Sequence, residues 1–92
     1  MAEQDLFNIY SDQPREIQNE ILKAMGLISS GNYLDFLAER AHCDDFQIRM
    51  NAVKSIKAHG AKGKELLNTM YPQENLQNQS IIRHVLDERI KD

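Results

Sequence analysis

The densest run of reactive side chains in the 92-residue sequence is His42-Cys43-Asp44-Asp45. Four ligand-type residues in succession rarely converge on one ion, and no CxxC or HxxxH partner accompanies them. The run therefore reads as an inter-helix turn whose acids cap the helix that follows. His84 falls at a position shared with Ala24 and Ser55, which suits packing or a rim better than chemistry. No Ser/His/Asp or Cys/His constellation follows from the spacing. The expectation is a non-enzymatic chain with no catalytic residue, metal or cofactor.

The charged residues keep a rhythm. Asp5, Asp35 and Glu65 each precede an apolar pair: Leu6-Phe7, Phe36-Leu37 and Leu66-Leu67. Acids in the first turn of a helix gain about 0.3–1 kcal/mol each from the macrodipole, and a ladder of them could also face a cationic partner. Lys23, Lys54 and Arg83 form a matching basic series. The most basic window, residues 54–64, holds Lys54, Lys57, His59, Lys62 and Lys64 around two glycines. Lys62 and Lys64 are the candidate anion contacts there, beside a helix start with free N–H groups. The GxxxxGK[ST] spacing of a nucleotide-binding loop is absent.

These residues must be carried by helices. "DQPREIQNEILKAMGLI" places Ile17, Ile21, Met25 and Ile28 on one stripe, with Pro14 in the first turn and Asp12 as a cap. Ser30-Gly31-Asn32 ends it. "NYLDFLAERAH" supplies Leu34, Leu37, Ala38 and Ala41, and "FQIRMNAVKSIKAHG" supplies Ile48, Ala52, Val53 and Ile56 before Gly60, a left-handed terminator. "KELLNTMY" stops at Pro72, and "LQNQSIIRHVLDERI" closes the chain. Five helices are expected, with a partial sixth at Asp5–Tyr10. The core predicted from these stripes is Ile21, Leu22, Leu37, Val53, Ile56, Leu66, Leu67, Ile82 and Val85.

The helices repeat. Ile21-Leu22, Ala52-Val53 and Ile81-Ile82 recur at nearly the interval of the shorter apolar pairs, close to 30 residues. A two-helix unit of that length marks an α-solenoid, in which each unit buries its apolar face only against its neighbours. The best unit is "DDFQIRMNAVKSIKAHGAKGKELLNTM", Asp44 to Met70. It resembles the short form of the HEAT-repeat family. The family's recurring Asp and Arg map to Asp44 or Asp45 and to Arg49, with Gln18 and Asn78 standing at the Arg position in the outer units. The resemblance implies an all-α, HEAT-like solenoid: a partial repeat over 1–12, repeats over 13–43 and 44–73, and a terminal helix over 74–92. It also implies a concave face formed by the shorter helices, on which Asp35, Glu39, Glu65 and Asn68 are the candidate partner contacts.

Bulk properties narrow the function. A composition 41% hydrophobic and 27% charged suits a folded domain rather than a disordered chain. Net charge −3 and the lack of interleaved aromatic and basic residues argue against nucleic acid. One cysteine leaves no intramolecular disulfide and suits a reducing compartment such as the cytoplasm. No apolar run approaches the roughly 20 residues of a membrane span. The leading expectation is a non-catalytic protein-interaction or scaffolding module. The alternatives are a nucleic-acid-associated module using residues 54–64 and an architectural or oligomerisation segment of a longer protein. Because the repeat phase opens and closes inside a unit, Leu6, Phe7 and Tyr10 and also Val85, Leu86 and Ile90 are expected as exposed apolar ends, suited to self-association.

Overall fold

Pro14, with φ −66° and ψ 163°, stands at the N-cap of the first long helix, one residue before the position expected for it. The helix is α1, Arg15–Leu27. It is followed by α2 (Leu34–Arg40), α3 (Phe46–Ala58), α4 (Ala61–Met70), a 3-10 turn (Tyr71–Gln73) and α5 (Leu76–Asp87). The computed structural model describes residues 9–28 and 33–87, among which there is no strand. Asp5–Asn8 of the expected partial helix lie outside the described residues, whereas Ile9 and Tyr10 are helical.

Two caps are chemically explicit. Asp45 Oδ1 accepts from the backbone N–H groups of Gln47 (2.8 Å) and Ile48 (3.1 Å) at the start of α3. Asn75 Oδ1 accepts from Asn78 N–H (2.8 Å) at the start of α5. Gly60 joins α3 to α4 with φ 77°, as a terminator requires, but its ψ of −139° is not the left-handed helical value expected. That region of the backbone map is open to glycine alone.

α3 is the hub, touching α1, α2, α4 and α5. Its contacts with α1 advance in the same order along both helices. Arg15 Nε pairs with Asp45 Oδ2 (2.5 Å), and Asn51 Nδ2 donates to Asn19 Oδ1 (2.7 Å). Farther along, Ser55 Oγ donates to the Leu22 carbonyl (2.6 Å), and His59 Nε2 meets the Met25 carbonyl (2.9 Å). The two helices therefore run parallel. They approach closely at Gly26, where a Cβ would lie 2.9 Å from the Ser55 α-carbon. α5 sets its first turn beside that of α3, since Gln77 and Asn78 share a cleft with Asp44 and Arg49.

One hydrogen bond recurs in each long helix. Gln18 Nε2 donates to the Tyr10 carbonyl (3.0 Å) and Gln79 Nε2 to the Tyr71 carbonyl (2.9 Å). Arg49 Nη1 also donates backward, to the nearer Cys43 and Asp44 carbonyls (3.0 and 3.2 Å), where the two glutamines reach farther upstream. The backbone N–H groups of these three residues donate to Pro14, Asp45 and Asn75. Gln79, not Asn78, is thus the counterpart of Arg49. Asn78 turns inward at 8% exposure instead, donating to the Ala41 carbonyl and to Glu74.

Of the predicted core, Ile21, Leu22, Leu37, Val53, Ile56, Leu67, Ile82 and Val85 are buried in one cluster, and Leu66 packs against it half-buried. Ile17 leaves its predicted stripe at 43% exposure. The exposed-end expectation fails among the described residues: Tyr10 is 3% and Val85 0% exposed, and Leu86 is half-buried. Leu6, Phe7 and Ile90 lie outside the described residues. Tyr10 is covered because its ring meets Phe36 edge-on at 5.2 Å, with the Arg40 guanidinium over both rings. Burial raises the Tyr10 pKa above its ordinary 10.0, opposed by the charge of Arg40.

Candidate functional site

The expected partner face comes from α2 and α4. Asp35 and Glu39 on α2, and Glu65 and Asn68 on α4, are all exposed. Asp35 occupies the first turn of α2, where the helix dipole favours it. Glu65 does not have that role, because α4 begins at Ala61 and its first turn holds no acid. The reason is Gly60, which starts the helix a turn earlier than the apolar pair suggests. Asp5 lies outside the described residues. The Glu39 carboxylate pairs with Arg40 (3.3 Å), a neighbour in sequence, while Asp35 and Glu65 form no ion pair among the described residues.

Asn68 lies in a more elaborate setting. It lines a recess of about 240 Å³ with Tyr71, Arg83, Leu86 and Asp87. Arg83 Nη2 donates to the Tyr71 hydroxyl at 2.5 Å, and the guanidinium carbon sits 5.7 Å from the ring centroid. The sequence carried no local signal for this pair, whose members lie on separate elements.

The basic window is not gathered into one site. Lys62 and Lys64 are exposed in the first turn of α4, whose N-cap Gly60 offers no side chain. His59 is turned toward α1, bonded to the Met25 carbonyl.

The His42-Cys43-Asp44-Asp45 run divides its labour. Asp45 caps α3. His42 reaches 32 residues along the chain to Glu74, with Nε2 2.8 Å from each carboxylate oxygen. Its Nδ1 faces the Ala38 carbonyl at 3.1 Å. The Glu74 carboxylate is only 8% exposed and also accepts from Asn78 Nδ2 (3.0 Å). The group borders a polar cleft of about 430 Å³ that Cys43, Asp44 and Arg49 also line. Both nitrogens of the His42 ring face oxygen acceptors, so neither is directed at Cys43 as a base would be. The contact ties the end of α2 to the start of α5. Among the described residues no three His, Cys, Asp or Glu side chains are grouped to hold a metal. Nor is any described helix long and apolar enough to cross a membrane.

No protein-family model matches the chain, and no curated protein or solved structure matches it either.

Proposed function

We propose that the chain is a HEAT-like α-solenoid acting as a non-catalytic protein-interaction module, with α2 and α4 forming the face offered to a partner. The observation that carries this reading is the recurring bond from Gln18, Arg49 and Gln79 to the carbonyl region preceding each long helix. The parallel packing of α1 and α3 supports it, because stacked units of one design set equivalent helices side by side in the same direction. The four partner-face residues, Asp35, Glu39, Glu65 and Asn68, are exposed and none caps a helix or fills the core. Rigid helices present such side chains at little ordering cost on binding.

The test is a comparison of the native chain with a variant carrying Asp35→Lys, Glu39→Lys, Glu65→Lys and Asn68→Lys. Photo-crosslinking from α2 and α4 should capture the same discrete partner with the native chain in repeated preparations and lose it with the variant. Equal capture by both would place the partner surface elsewhere. Loss of helical signal in the variant would be checked first, by circular dichroism.

A further inference from the structure

Two of the four described arginines reach a carboxylate, and a third is held by neutral carbonyls. Arg15 reaches Asp45, Arg40 reaches Glu39, and Arg49 reaches two main-chain carbonyls. Arg83 has one acceptor among the described residues, the neutral hydroxyl of Tyr71. The Tyr71 ring and hydroxyl together hold the guanidinium in place, a cation–π contact at 5.7 Å plus a hydrogen bond. Donor capacity is left over. A guanidinium carries five N–H groups, and a phenol that accepts a hydrogen bond still has its own proton to give. The amide of Asn68 lines the same recess, and half-buried Leu86 adds an aliphatic wall.

We propose that this recess binds an acidic side chain, Asp or Glu, of a partner polypeptide. A planar guanidinium matches a carboxylate with two parallel N–H···O bonds, and a held guanidinium loses less freedom in making them. Asp87 also borders the recess but forms no ion pair with Arg83 among the described residues, so it does not fill the acceptor position. Its charge disfavours a run of acids. The segment that fits carries one acid flanked by apolar residues that meet Leu86. The inference stands on the recess alone and does not need the solenoid reading.

The probe is acetyl-Leu-Glu-Leu-amide, titrated into the isotopically labelled chain and followed by NMR. Saturable shifts should appear at the Asn68 side-chain amide, the Tyr71 ring and the Leu86 methyls. Replacing Glu by Gln in the peptide should weaken binding about tenfold, the factor that losing one charge-assisted hydrogen bond implies. Arg83→Gln should abolish the shifts, and Tyr71→Phe should weaken them while keeping the ring. No saturable shift, or undiminished binding by the Gln peptide or by the Arg83→Gln chain, would overturn the proposal. Equal or tighter binding by acetate, or by Leu-Leu-Leu with a free carboxyl terminus, would overturn the assignment to a side chain.

Discussion

A methyl group on Gly63 would lie 1.7 Å from the carbonyl oxygen of Ile56, closer than any real contact, so α3 and α4 meet backbone to backbone at this point. Gly63→Ala must push the helices apart and should cost about 3 kcal/mol or more, at or above the usual range for overpacking. Gly60 offers a contrast, because a Cβ there meets nothing within 4 Å and only its φ of 77° resists substitution. Gly60→Ala should cost roughly 1–3 kcal/mol through backbone strain alone. Urea melts of both variants check the pair. A Gly63→Ala chain as stable as the native one would refute the close crossing.

Val53 is 2% exposed on the hub helix, and Lys54 beside it is exposed. Val53→Ala should lower stability by about 1–3 kcal/mol, the scale for truncating a buried aliphatic side chain, whereas Lys54→Ala should stay within about 0.5 kcal/mol. Indistinguishable unfolding midpoints for the two would mean that Val53 faces solvent.

Asp45 both caps α3 and pairs with Arg15, while Asp44 next to it does neither. Asp45→Ala should cost about 0.5–2 kcal/mol, mainly through the lost cap, and Asp44→Ala far less. The ion-pair part, isolated by a double-mutant cycle with Arg15→Ala, should be no more than about 1 kcal/mol because Arg15 is largely exposed.

Tyr10 gives the chain an alkaline limit. Its pKa is raised in the folded state, chiefly by burial, so the folded chain holds the phenolic proton more tightly than the unfolded chain. The resulting stability is fully present below pH 10.0, the unfolded value, and is lost as pH rises through the higher folded value. Stability followed by chemical melts should therefore fall above pH 10, and Tyr10→Phe should flatten that fall. An identical alkaline slope in the variant would show that another group is responsible.

Helix positions and most of the core were legible in the sequence, because apolar residues three and four apart must share one helix face whatever they pack against. Pro14, Asp45 and Gly60 bear their meaning locally, through a fixed φ, a carboxylate near free N–H groups and tolerance of positive φ. The near-30-residue echo was legible as well, but its phase was not. Counting apolar pairs matches Arg49 with Asn78, whereas the backbone bonds to Asp45 and Asn75 match it with Gln79. Periodicity says which face is apolar but not which neighbour covers it, so Tyr10 looks exposed in sequence and is buried in the fold, and Val85, read both as core and as an exposed end, belongs to the core. The contacts from His42 to Glu74 and from Arg83 to Tyr71 lie further still from what sequence can decide. Each joins side chains on separate elements, and their meeting depends on how the helices dock around α3, a choice made by packing across the whole core.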